Sequence, residues 1–282
     1  MQRTVTAQLT ATIKSRAELA LSVVAAKSAE ATHEQLSITV DGKELDVTQV
    51  SGSGGARWHF IQNVPVGEFA VSYNATLASG GAAHALSPGE RISFLRPSRY
   101  ADVDRLEATA RALFADVKAE GTEGAEGGAG LDPDAVAVLQ AVTNYVAEHT
   151  AYILGSSRVT DGASDTYVAQ AGVCRDFAHL TIAFLRARGI PARLVSAFAP
   201  GLQPMDFHAV VEAYVAGAWH VVDPTRLAPR QSLVRIATGT DAAETAFMTT
   251  HSGNVRFGRL TVTATTDTPL PQDDHQGLVQ LG

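Results

Sequence analysis

The first quarter of the chain alternates apolar and polar residues in short runs separated by turn residues. Val5 to Ile13 has a two-residue period, Leu36 to Val40 runs into an Asp41-Gly42 turn, and Trp58 to Val64 is followed by Phe69 to Leu77. Successive side chains of a strand point to opposite faces, so this period predicts strands with one buried face. With the turns between them, the strands predict an antiparallel, β-sandwich-like domain over residues 1–96.

After Pro97 the period becomes helical. Leu106, Ala110, Leu113, Phe114 and Val117 share a helix face, with Asp102 placed to cap it. Asp132-Pro133 announces a second helix carrying Val136, Leu139, Val142 and Val146 on one side. Between the two, residues 120–130 are nearly all Gly, Glu, Ala and Thr, the composition of a solvated, mobile connector. A third helix begins near Cys174 and is apolar at Phe177, Leu180, Phe184 and Leu185; Gly189 is placed to end it, and Pro191 forbids its continuation. Strand-like segments follow at Ala192 to Phe198, His208 to Val215 and Trp219 to Asp223, with a late one at Val255 to Ala264. Helices followed by antiparallel strands predict an α+β domain over residues 97–282.

Composition narrows the choice of function. The 282 residues suffice for two cores, and 45% hydrophobic with 18% charged residues is a globular balance. A net charge of -7, with no run of Lys and Arg, argues against a nucleic-acid partner. The opening residues lack an apolar leader and no apolar stretch reaches spanning length, so a cytoplasmic protein with no membrane partner is expected. The single cysteine excludes an intrachain disulfide, a CxxC pair and a multi-thiolate zinc site, and fits a reducing compartment.

That cysteine, Cys174, is either small apolar filler or a nucleophile. Thiolate chemistry needs a helix N-terminus, a cation or a base beside the sulfur. Cys174 follows Ala171-Gly172-Val173 at the start of a helix, where unpaired N–H groups favour negative charge and supply one half of an oxyanion hole. His208 opens a strand, Ala216-Gly217-Ala218 signals a turn, and Asp223 closes the returning strand. A two-residue turn using Gly217 puts His208 and Asp223 on one face as diagonal neighbours, whereas a three-residue turn would separate them. An aspartate accepting from one imidazole nitrogen leaves the other for the thiol.

Other side chains receive smaller roles. His179 lies more than a turn beyond Cys174 and is expected to pack or to hydrogen-bond locally. Glu212 shares the parity of His208 and is the reserve partner for that ring; Arg175 and Asp176 suit a solvated first turn; Gln170 is a candidate second oxyanion donor. His59, His84, His149, His220 and His251 have no ligand spacing, and neither an HExxH nor an EF-hand loop is present, so no metal and no cofactor are expected.

Three segments in order carry a resemblance: Gly172-Val-Cys-Arg-Asp-Phe-Ala-His-Leu with Arg-Ala-Arg-Gly-Ile-Pro-Ala-Arg ending at Arg193, then Asp206-Phe-His-Ala, then Trp219-His-Val-Val-Asp-Pro-Thr. From Leu95 to about Thr265 the chain resembles the bacterial transglutaminase-like cysteine protease family, and the first half looks like the β-rich domain that precedes the core in such proteins. The resemblance implies a papain- and transglutaminase-like core, its nucleophile falling on Cys174, its histidine on His208 and its aspartate on Asp223. Where the family often has an aromatic residue after His-Ala, Val210 stands here. The implied activity is acyl transfer from an amide of a peptide or protein substrate through a thioester, with water or an amine as acceptor. The competing expectation is a transglutaminase-like binding module without activity. Arylamine N-acetyltransferase-like chemistry uses a similar triad but needs an acetyl-CoA pocket, for which the chain has no motif.

Overall fold

The computed structural model describes residues 1–78, 85–118 and 133–281. The chain opens with β1 (Arg3–Leu21), β2 (Ala31–Val40), β3 (Lys43–Glu44), β4 (Thr48–Ser51), β5 (Arg57–Val64) and β6 (Gly67–Leu77). Then come α1 (Pro88–Ser93), α2 (Val103–Leu113), α3 (Pro133–His149), β7 (Ala151–Tyr152), α4 (Ala163–Ala169), β8 (Ala171–Gly172) and α5 (Cys174–Ala187). The remainder is β9 (Ala192–Phe198), β10 (Phe207–Val215), β11 (Ala218–Val222), β12 (Val234–Gly239), α6 (Ala242–Thr245) and β13 (Met248–Thr266).

The alternation read from Val5 to Ile13 is real: Val5, Ala7, Leu9, Ala11 and Ile13 are all buried. The β-rich half is one curled antiparallel sheet of order β3-β2-β6-β1-β5-β4, with β13 also paired to β1. β6 pairs with the first part of β1 and β5 with its last residues, while β13 follows β1 along the opposite edge. The second sheet, β11-β10-β9-β12, is antiparallel and carries α5 on one face. Leu180, Phe184 and Leu185 of α5 pack there on Leu194, Val211 and Ala213. The other face, with Val195, Val210 and Val221, is covered by Leu233 and the C-terminal Leu281.

Two expectations change. The late strand containing Val255 to Ala264 belongs to the first sheet, not to the sheet that follows the helices. Phe198, Val234, Ile236 and Ala237 of the second sheet also pack into the core of the first. Residues before and after position 96 thus share a strand pairing and a core. Asp102 precedes α2 without capping it; its carboxylate instead accepts from the backbone N–H of Ser164 at 3.0 Å and from that residue's hydroxyl, tying α2 to α4. Gly189, at φ +77°, does end α5, with the Ile190 N–H bonded back to the Leu185 carbonyl. The cap at Asp132 and the connector at 120–130 lie outside the described residues.

Candidate active site

Cys174 is the first residue of α5 and is partly exposed. The turn before it is fixed by Asp176, whose carboxylate accepts from the Val173 N–H at 2.8 Å and satisfies one of the donors a helix start leaves open. Gly172 lets the chain pass that close: a Cβ there would lie 2.6 Å from the Asp176 Cβ. Asp176 is fully buried and paired with Arg175 at 3.0 Å; Arg175 also reaches the Arg158 carbonyl at 2.7 Å. The pair anchors the turn before Cys174 to the 157–158 loop, where a solvated face was expected.

His208 and Asp223 meet across the hairpin of β10 and β11. Ala216 and Gly217 form its two-residue turn, both at positive φ, and Val215 pairs with Ala218. This is the register that puts residues 208 and 223 on one face. His208 Nε2 donates to Asp223 Oδ2 at 2.8 Å, and both residues are about 1% exposed. The Oδ1 of Asp223 accepts from the Thr225 N–H at 3.0 Å and hydroxyl at 2.7 Å. Thr225 holds the carboxylate that holds the ring. A Thr two residues after an Asp is a recognisable local hydrogen-bonding pattern, the one signal in Asp-Pro-Thr that points to this task.

The remaining imidazole nitrogen, Nδ1, is buried without a hydrogen-bond partner. Burial alone would lower the pKa of His208, but the charge and hydrogen bond of Asp223 and the adjacent Cys174 outweigh it and raise it to about 10. Asp223 moves the opposite way: the His208 charge and the Thr225 hydrogen bonds overcome burial and hold its carboxyl below the usual range. The two directions describe one ion pair.

The remaining candidates separate cleanly. Glu212 is bound at 2.8 Å to Arg193 and at 2.6 Å to Arg235, all buried, so it is committed elsewhere and does not serve His208. Desolvation works against its charge, yet the two guanidiniums lower its pKa to about 2. His179 is buried, stacks on Tyr100 with centroids 5.2 Å apart, and accepts from the Ala242 N–H at 3.2 Å, the packing role expected of it. Gln170 is exposed at the left-handed end of α4, and its side chain does not line the cleft beside Cys174. Among the described residues no group of acidic, His and Cys side chains is arranged to hold a metal.

Tyr152 also stands close to Cys174, and no sequence signal marks it. The two-residue strand β7 runs parallel to β8 and sets Tyr152 opposite Gly172, two residues before the thiol. Burial, and after it the nearby Cys174, push its phenol up to about 12. A two-residue strand has no periodicity from which to predict it.

Cys174 and His208 open on a cleft of about 840 Å³ between the two sheets, lined from β10 by Phe207 and from β13 by Phe257 and Leu260.

Comparison with known proteins agrees with this architecture. The core of the Transglutaminase-like superfamily matches residues 125–224, a span that contains Cys174, His208 and Asp223. A protein of Cytophaga hutchinsonii, proposed to be a cysteine protease, has a crystal structure that superposes with a TM-score of 0.80 at 31% identity, covering 97% of this chain and 94% of its own. An uncharacterised protein of Mycobacterium leprae is 33% identical over 107 residues, 34% of this chain and 37% of that protein. One of Mycobacterium tuberculosis is 38% identical over 63 residues, 22% of this chain and 20% of its own. The chain thus spans well under half the length of these two mycobacterial relatives. With the core pattern over α5 and the β10–β11 hairpin, and a relative of 31% identity matched along almost its whole length, this chain belongs to the transglutaminase-like superfamily.

Proposed function

We propose that the protein transfers acyl groups from amides of peptide or protein substrates through a thioester on Cys174, with His208 as acid and base and Asp223 as the residue that orients and charges the ring. The observation that carries this reading is the 2.8 Å His208–Asp223 bond together with the unpartnered Nδ1 beside the only cysteine. A ring held cationic to about pH 10 favours the thiolate at its other nitrogen.

In the forward half-reaction the thiolate adds to the amide carbonyl carbon, and the developing oxyanion is met by N–H groups at the start of α5. The imidazolium gives its proton to the departing amine as the C–N bond breaks, leaving a thioester and a neutral ring. His208 then takes a proton from the attacking water or amine; the C–S bond breaks, and the proton returns to the thiolate–imidazole pair. Asp223 stays ionised throughout, because its task is to stabilise the ring's positive form.

The test is to trap the acyl-enzyme. Incubation with p-nitrophenyl acetate should add one acetyl group at Cys174, detected by intact and peptide mass spectrometry and removed by hydroxylamine. The adduct should be absent from Cys174→Ser and strongly reduced in His208→Ala. Acylation only at other residues, or none, would overturn the reading in favour of a binding module.

A further inference from the structure

We propose that the cleft between the two sheets is an acyl-side pocket that selects an aromatic side chain in preference to that of glutamine, and that the first sheet exists in part to wall it. The proposal rests on the acyl-transfer reading above and adds to it the substrate class. The cleft begins at Cys174 and His208, so whatever fills it lies beside the reacting carbonyl.

One wall carries three rings, Phe207, Phe247 and Phe257, that continue a row begun by the buried Phe198. Phe198, Phe207, Phe247 and Phe257 follow one another with centroids 5.4, 5.8 and 5.9 Å apart, the spacing of interacting aromatic pairs. The row starts in the shared core and ends at Phe257, which is 46% exposed. An open ring at the end of a packed row is a surface on which another ring can continue the series.

The strand that delivers Phe257 is shaped for it. Thr10 pairs with Arg259 and Ala11 with Phe257, so Gly258 is an unpaired bulge residue. A Cβ at Gly258 would sit 2.9 Å from the Thr10 carbonyl oxygen, so the bulge requires glycine. In a regular strand alternate residues would face away, yet Phe257, Gly258, Arg259 and Leu260 all border the cleft. A bulge that re-aims side chains beside a reactive centre is a positioning device.

Polar side chains border the cleft as well, Arg175, Asp206 and Arg259 among them, with the Ser22 and Ser196 hydroxyls. What favours a ring over a carboxamide is the open face of Phe257, on which a ring stacks and a carboxamide gains no equal contact.

The experiment compares two vinyl sulfones built on N-acetyl-phenylalanine and N-acetyl-glutamine, with iodoacetamide as a probe that needs no pocket. Each alkylates Cys174, and intact mass gives the second-order rate. The aromatic probe should react about tenfold faster or more, the scale on which apolar pockets discriminate. Phe257→Ala should erase most of that ratio, and Phe257→Leu, which keeps apolar bulk, should retain part of it. Equal rates, a faster glutamine probe, or a ratio unmoved by Phe257→Ala would overturn the pocket assignment while leaving acyl transfer intact. Cys174 inert to all three reagents would overturn both readings.

Discussion

Asp223 accepts from His208 across a hairpin whose Ala216-Gly217 turn fixes the two residues on one face, and Thr225 holds the carboxylate in place with two hydrogen bonds of its own. The order of dependence runs from turn to register to carboxylate to ring, so changes well away from the sulfur should alter its reactivity.

Thr225→Val removes a hydroxyl bonded to a buried charge while keeping shape. Such bonds contribute about 1.5–3 kcal/mol, so acylation of Cys174 should slow by roughly tenfold or more if the carboxylate loses its orientation. Thr225→Ser should recover most of the rate. A Thr225→Val protein that acylates at the wild-type rate would remove Thr225 from the account.

Glu212→Gln tests the separation of scaffold from site. It removes the carboxylate that both buried guanidiniums share, Arg193 keeping Glu90 at 3.6 Å, and breaking buried pairs of this kind costs about 3–5 kcal/mol. Urea unfolding should report that loss. Cys174 in the molecules still folded should alkylate at the wild-type rate; a selective loss of reactivity at unchanged stability would return Glu212 to the site.

Gly172→Ala should disturb the turn that presents Cys174, since the new methyl meets Asp176 at 2.6 Å. Overpacking of this kind costs about 1–3 kcal/mol. The expected result is a lowered melting temperature together with slower Cys174 alkylation, because Asp176 can no longer close on the Val173 N–H.

The raised pKa of His208 has a signed consequence for stability. A group whose pKa is higher in the folded state than its ordinary value of about 6.5 contributes stability that is complete below that value and is lost as pH rises through about 10. Unfolding free energies of wild type minus His208→Gln should therefore shrink between about pH 6.5 and 10. An imidazole that titrates near 6.5 in the folded protein, followed by NMR, would contradict the ion pair.

Much of this is legible in the sequence. Apolar spacing at Phe177, Leu180, Phe184 and Leu185 placed α5, Gly189 ended it, and the single positive-φ-tolerant turn at Gly217 was enough to bring His208 and Asp223 together. What escaped shares one cause. A two-residue period says that Val255 to Ala264 is a strand but is silent about its neighbour, so its return to β1, and with it one wall of the cleft, could not be read. Asp176 looked like a surface acid because nothing local announces its burial, and its partner Arg175 is tied to Ser157 and Arg158, remote in sequence. Tyr152 sits in a strand too short to have a pattern, and Asp102 stood at a helix start but spent its carboxylate on another helix.

The measurement that bears most directly on the central claim is the pH profile of Cys174 alkylation by iodoacetamide. An ordinary thiol, with a pKa of about 8.5, loses roughly tenfold in rate per pH unit below neutrality. With a cationic His208 beside the sulfur, the rate should instead hold nearly level from pH 8 to pH 6; His208→Ala should restore the steep fall, and Asp223→Asn should do so in part. Because Cys174 is the only cysteine, every adduct reports this site. A thiol that in folded protein reacts only above pH 8, or not at all, with a profile indifferent to both substitutions, would contradict the account.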